Sequence, residues 1–207
     1  MTPQWLVWAQ RLQALAQSGL TFTQNPFEVE RYEEIRRIAA EMIAASADMP
    51  IEKIEVLFAD KEGYATPQID VRGAVFDAED RILLVKERND GRWTLPGGFA
   101  DVGLSGGENV VKEIREESGY ETRAIRLLAA YDRSKHPHPI PYAYPIYKLF
   151  FLCELIGGAP QASIETEDVG FFPIDALPPL SLGRVLPEHI ERMLALRNNP
   201  QAPADFD

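Results

Sequence analysis

Glu113, Glu116 and Glu117 are spaced i, i+3, i+4, so a helix through them carries three carboxylates on one face. Like charges that close repel by about 0.3 kcal/mol per exposed pair, and a solvated acidic face is the ordinary reading of such a triplet. The nearby Leu95-Pro96-Gly97-Gly98-Phe99 changes that balance. Gly97-Gly98 lets a backbone turn sharply or approach a ligand closely. Hard divalent ions such as Mg²⁺ take oxygen ligands, typically one or two carboxylates together with water and substrate phosphates, and they neutralise a crowded acid cluster. The chemistry on offer is therefore metal-assisted work on phosphate.

The elements that must position these groups are legible around them. Ser105 with Glu108 three residues later is a capping box, so the acid-bearing helix should begin there and stop at Gly119. Val110, Val111 and Ile114 fall on a neighbouring face and anchor it. Upstream, Asp70–Phe76 and Arg81–Lys86 read as strands joined at residues 77–80. Two helices are expected before them, one from Thr2-Pro3 to Gly19, the other opening at Asn25-Pro26-Phe27-Glu28 with Asn25 as N-cap and Glu28 as its reciprocal partner. The second should end near Asp48-Met49-Pro50, and Ile51–Phe58 reads as a linker or first strand. A last helix is expected after Pro187, carrying Ile190, Met193, Leu194 and Leu196. Strands with helices on their faces indicate an α/β or α+β body.

Composition narrows the function classes. Lys+Arg 21 against Asp+Glu 32 leaves a net charge of −11, which repels nucleic acid and anionic membrane and excludes a general DNA or RNA coat. Cys153 is the only cysteine, so an internal disulfide framework and a thiolate zinc cluster are excluded. It lies in the apolar run Lys148–Leu155, where a buried inert thiol is expected. No run approaches the 18–20 or so apolar residues of a membrane span, and a cytoplasmic protein is expected. Basic side chains that could meet phosphate are Arg72, Lys86, Arg88 and Arg92 before the acid helix, and Arg133, Lys135, His136 and His138 after it. Two of the chain's three histidines sit in the proline-stiffened loop His136–Pro141. Trp93 and Phe99 flank the Gly-Gly turn, where each could stack on a base or simply pack.

The segment from Gly98 to Tyr120 resembles the box of the Nudix hydrolases: Gly, five residues, Glu, seven residues, then Arg-Glu-aliphatic-x-Glu-Glu-x-Gly-aliphatic. Gly98, Glu113, Ile114, Glu116, Glu117 and Gly119 match in register and Tyr120 fits loosely; Leu104 stands for the first Glu and Lys112 for the Arg. Lys112 keeps the charge and loses the planar fork that orients a carboxylate. A closer resemblance, to the CDP-choline pyrophosphatase branch, covers almost the whole chain. It rests on the helical N-terminus, the Gly-Gly-Phe-Ala-Asp-Val-Gly box, Tyr131–Pro139, Asp168–Phe172, Leu180-Ser181-Leu182-Gly183-Arg184 and the terminal Asp205-Phe206-Asp207.

The resemblance implies a Nudix-type α/β/α sandwich with a mixed sheet, preceded by a two-helix domain that forms homodimers. On this reading the domains are 1–50 (helical), 51–66 (linker or first strand) and 67–207 (Nudix). It implies hydrolysis of a nucleoside diphosphate linked to a group X, with CDP-choline giving CMP and phosphocholine as the leading case. Mg²⁺ or Mn²⁺ would be held by Glu113, Glu116, Glu117 and the carbonyl of Gly97. Glu113 or an acid of the later loop (Glu165, Glu167 or Asp168) would serve as base, and Glu113, Glu117 and Glu167 are taken as catalytic. Arg72, Arg88, Phe99, Arg133, Lys135, His136 and His138 would bind substrate. The alternatives are ADP-ribose or an RNA end as substrate, or a Nudix-like module that binds nucleotide without cleaving it.

Overall fold

The computed structural model describes residues 3–47, 54, 63–140 and 142–207. The expected linker or strand at Ile51–Phe58 lies outside these residues, except for Ile54, which is helical and buried; the expected helix end at Asp48-Met49-Pro50 also lies outside them. The chain divides into Met1–Pro67 with Pro141–Pro145, and Gln68–Ile140 with Ile146–Asp207. Among the described residues no helix is long and apolar enough to cross a membrane.

In the first unit, α1 (Gln4–Phe22) and α2 (Pro26–Ala47) pack through Leu6, Ala9, Ala39, Ala40 and Ile43. α1 runs through Gly19 rather than ending there. Gly19 lies against α2, where a Cβ would come 2.4 Å from the Tyr32 ring, so this glycine serves helix contact and not chain termination. Asn25 caps α2 as expected, accepting from Phe27 N–H at 3.0 Å. Glu28 does not complete the box, because the Thr23 hydroxyl donates to it and itself accepts from Asn25 N–H. Trp8, Leu15, Phe22 and Phe27 point outward, each more than half exposed.

The second unit is mixed α/β. One sheet has the order β1 (Gln68–Val75), β5 (Ile146–Gly158), β4 (Tyr120–Asp132), β7 (Asp205–Phe206), with β1 parallel and β4 antiparallel to β5. A second, antiparallel sheet has the order β3 (Trp93–Thr94), β2 (Ile82–Glu87), β6 (Thr166–Phe172). Side-chain alternation along β1 and β5 separates two cores. Val71, Val75 and Cys153 meet Val110 and Ile114 of α3 (Gly106–Ser118), whereas Ala74 and Phe150 meet Ile190, Met193 and Leu196 of α4 (Pro187–Arg197). The sheet is thus sandwiched by helices, as the resemblance implies. Cys153 is buried, and burial pushes its thiol up to about 12, the inert state expected of it.

Candidate active site

The site is built on the parity of β1. Val71 and Gly73 face α3, so Asp70 and Arg72 share the opposite face, and the parallel register sets Lys148 of β5 beside Asp70. All three side chains are at most 6% exposed. Asp70 takes Arg72 Nε and Nη2 at 2.9 and 2.8 Å and Lys148 Nζ at 2.7 Å, while Arg72 Nη1 donates to the Leu95 carbonyl at 3.1 Å. Burial alone would raise the Asp70 carboxyl; the two cations override it and hold it near 2. Burial outweighs Asp70 at Lys148 and pushes that ammonium down to about 8.

The Gly-Gly loop lies along the free side of β1. Gly73 N–H donates to Pro96 O, Val71 N–H to Gly98 O and Ala100 N–H to Ile69 O, at 2.8–2.9 Å. The fit excludes any side chain at Gly97: its φ is 141°, and a Cβ would lie 2.0 Å from Val71 O. Gly97 N–H points at α3 and donates to Glu117 Oε2 at 2.8 Å. α3 begins with the expected capping box, Glu108 N–H to Ser105 Oγ at 3.3 Å and Ser105 N–H to Glu108 Oε2 at 2.8 Å, and ends at left-handed Gly119. Buried Asn109 ties the intervening turn to the helix by exchanging bonds with Asp101.

Depth grades the acid triplet. Glu117 is 6% exposed and its carboxyl is pushed up to about 8 by burial, against the opposing pull of Arg72 and Gly97 N–H. Glu113 is raised by burial too, and Glu116 is half exposed. Lys112 Nζ stands among Asp101, Glu113 and Glu116 at 3.0, 3.6 and 3.1 Å, so the carboxylates already gather a cation at the cleft mouth. Among the described residues no three His, Cys, Asp or Glu side chains are gathered closely enough to hold a metal ion by themselves. The donors that α3 and the glycine loop offer, Glu113, Glu116, Glu117 and the Gly97 carbonyl, are all oxygens, the ligand type that hard divalent ions take.

A cleft of about 710 Å³ opens over this arrangement. It brings together Arg72, Gly97, Phe99, Glu113, Glu116 and Glu117 from the expected set, and Phe99 is 46% exposed beside it. It adds Asp70, Glu87, Asp101, Glu165 and Arg184, which sequence reasoning did not select as site residues, although Glu165 stood among the candidate bases. Glu167, the loop acid taken as catalytic, is not on its wall: it pairs with Lys86 at 2.6 Å on the outer surface of β2 and β6. Arg88 is also absent from the wall, its guanidinium donating to Ser163 O at 3.2–3.3 Å. Trp93 packs edge-on against Phe172, as the packing alternative had it.

The second basic group is elsewhere. Arg133 is buried and donates to the carbonyls of Ile140 and Gly183, Lys135 is exposed outside the cleft, and His138 Nδ1 donates to Leu182 O at 2.7 Å. His136 meets His189, so the chain's three histidines form one cluster. Leu186 N–H donates to His189 Nδ1, which makes Nε2 of that ring the donor to His136 Nδ1 at 3.2 Å and directs His136 Nε2–H to the Asp207 carboxylate at 3.0 Å. These residues hold Asp207 and the 180–184 loop and do not line the cleft.

Burial, aided by the other two imidazoles and Lys148, pushes His189 down to about 3; burial with Arg133, Lys148 and His136 pushes His138 down to about 4. Unfolded histidine titrates near 6.5. Between about pH 6.5 and 4 the unfolded chain therefore binds more protons than the folded one, and stability is lost as pH falls through that window. Calorimetric melting at pH 7.5, 6.5, 5.5 and 5.0 should show a falling Tm, and His189→Gln should flatten the dependence. An unchanged slope in that variant would contradict the assignment.

Comparison with known proteins agrees with this architecture. Residues 66–193 match the NUDIX domain model, and residues 3–58 match a UDP-X-like, N-terminal oligomerisation domain. The chain is 48% identical to YjhB of Bacillus subtilis (strain 168), provisionally named an ADP-ribose pyrophosphatase, over 98% of this chain and 97% of that one. It is 33% identical to an ADP-ribose pyrophosphatase of Methanocaldococcus jannaschii over 57% of this chain and 69% of the other. Among solved structures, a UDP-X diphosphatase is 36% identical and superposes with a TM-score of 0.64 over 98% of both chains. An ADP-ribose pyrophosphatase of Streptococcus suis 89-1591 is 42% identical, with a TM-score of 0.62 over 69% of this chain and all of that one. With its glycine loop, acid helix and mixed sheet in place, the chain belongs to the Nudix hydrolases, enzymes that cleave phosphoric anhydrides, and carries an N-terminal domain of the UDP-X-like oligomerisation type.

Proposed function

We propose that the chain hydrolyses the pyrophosphate of a nucleoside diphosphate linked to X, with ADP-ribose as first candidate and CDP-choline as second. The observation that carries the reading is the cleft in which Glu113, Glu116 and Glu117 face the Gly97 turn beside exposed Phe99. ADP-ribose is favoured by the names of three relatives. CDP-choline is favoured by the whole-chain resemblance, from the atypical box to the terminal Asp205-Phe206-Asp207.

Mg²⁺ or Mn²⁺ held by Glu113, Glu116, Glu117 and the Gly97 carbonyl would polarise the phosphates and activate water. The chain supplies the rest. Gly97 N–H holds the Glu117 carboxylate, and the Asp70–Arg72–Lys148 group holds the loop through the Leu95 carbonyl. Glu165, on the cleft wall, is better placed than Glu167 to take the proton of the attacking water. Phe99 offers a face for the base. One water enters, and a nucleoside monophosphate and the phosphate of X leave. The N-terminal unit is read as a dimerisation unit, its exposed Trp8, Leu15, Phe22 and Phe27 forming the contact.

The test incubates the protein with ADP-ribose, CDP-choline or a 5′-triphosphorylated RNA, in Mg²⁺, Mn²⁺ or EDTA, with products identified by mass spectrometry. AMP with ribose 5-phosphate, or CMP with phosphocholine, is expected only where metal is present. Cleavage of the RNA alone would overturn the substrate class.

A further inference from the structure

We propose that Arg184 is a substrate-phosphate anchor in this cleft and that Glu87 positions it, an assignment resting on the pyrophosphohydrolase reading above. Three cations line the cleft among the described residues: Arg72, Lys112 and Arg184. Arg72 is buried, and its Nε, Nη1 and Nη2 already donate to Asp70 or the Leu95 carbonyl. Lys112 is surrounded by carboxylates. Arg184 differs from both. Its Nε faces Glu87 at 3.1 Å, and its Nη1 faces Asp90 at 3.3 Å and Ser181 Oγ at 3.0 Å. Nothing among the described residues bonds its Nη2, and the side chain is 29% exposed. A guanidinium held at Nε and Nη1, with the tip nitrogen Nη2 between them open, presents N–H donors to a phosphate oxygen.

The backbone beneath it is held on several sides. Ser181 N–H donates to Trp93 O and Arg184 N–H to Ser181 O, both at 2.8 Å, while Arg133 and His138 hold the carbonyls of Gly183 and Leu182. An anchor fixed in advance loses little freedom when it binds. The need for one is electrostatic. Seven acidic side chains line the same cleft, and a substrate carrying two phosphates must approach them. Bound metal answers part of that repulsion, and Arg184 adds a fixed positive charge with donors to spare. This also gives Arg133 and His138 a role at one remove, holding the loop that delivers the anchor.

The experiment measures binding of non-hydrolysable α,β-methylene analogues of ADP-ribose and CDP-choline to the full chain by calorimetry in Mg²⁺, beside steady-state kinetics on the parent compounds and a melting curve. Arg184→Gln is expected to raise Kd and KM about ten- to hundredfold, with a smaller change in kcat. Arg184→Lys should recover part of the loss, because it restores charge without the fork. Glu87→Gln should give a smaller loss of the same kind. A merely structural role would lower Tm while leaving Kd and KM unchanged in the protein that remains folded, and would overturn the assignment. Arg184-dependent analogue binding without turnover of either parent would overturn the proposed activity and support the anchor. Turnover with an unchanged KM in Arg184→Gln would overturn the anchor alone. A wild-type chain that neither binds nor cleaves would overturn both.

Discussion

Glu117→Gln should lower kcat/KM by about a thousandfold, without lowering Tm in EDTA. The expectation follows from what the side chain does at each of its ends. The amide oxygen of glutamine can still accept from Gly97 N–H, so the link between α3 and the glycine loop survives, along with the geometry around it. What is lost is the negative charge that would hold a metal against the pyrophosphate, and such charge stabilisation is worth several kcal/mol in the transition state, or about three powers of ten in rate. The melting behaviour separates this from simple unfolding. Burial pushes the Glu117 carboxyl up to about 8, so folding near neutrality in EDTA must either bind a proton there or bury a charge, and the neutral amide requires neither. A variant that keeps more than a tenth of wild-type kcat/KM would remove Glu117 from the metal set. A variant that loses activity and melts well below wild type would show that the carboxylate is chiefly structural.

The features that were legible in the sequence are those whose partners lie within a helical turn or a short loop. Ser105, Glu108 and Gly119 bound the acid helix because a capping box and a C-terminal glycine act locally, and the triplet at 113, 116 and 117 shares a face by helical geometry alone. The strands expected at Asp70–Phe76 and Arg81–Lys86 are present with their ends moved by one or two residues. The features that were not legible depend on register between distant strands. Nothing near Asp70 announces that Lys148 lies opposite it, 78 positions later, or that Arg184 will close on Glu87 at the end of β2. The placement of the basic loop off the cleft wall was hidden for the same reason. His136 and His138 look like ligand contacts by proximity in sequence, but their environment is made by His189, Leu182 and Asp207, all supplied by the far end of the chain. Glu165 and Glu167 differ by two positions and still diverge. Lys86 draws Glu167 onto the outer surface, while Glu165 stays on the cleft wall.

Asp70→Asn should strongly destabilise the second unit, costing about 3–5 kcal/mol and lowering Tm by roughly 10 °C. One carboxylate pairs with two interior cations, and asparagine leaves both of them without it. The two respond differently. Lys148 is already pushed down to about 8, well below an exposed lysine, and with Asp70 gone burial acts on it unopposed. It then sheds its proton near neutrality. The unfolded chain binds that proton up to about pH 10, so the variant's deficit should shrink as pH rises from 7 to about 8 and level off above it, where the wild-type lysine loses its proton too, which melting curves from pH 7 to 9 would show. Arg72 cannot deprotonate and keeps the remainder of the penalty. Adding Lys148→Met to Asp70→Asn should therefore recover part of the loss but not all of it, a coupling that a double-mutant cycle measures directly. Full additivity of the two changes would mean that the ion pair contributes nothing to the fold. The same cycle bears on activity. Arg72 holds the Leu95 carbonyl just before Pro96-Gly97, and Gly97 N–H in turn holds Glu117. A chain that stays folded without Asp70 should lose kcat/KM because the loop has shifted, even though Asp70 lies beneath the reacting groups.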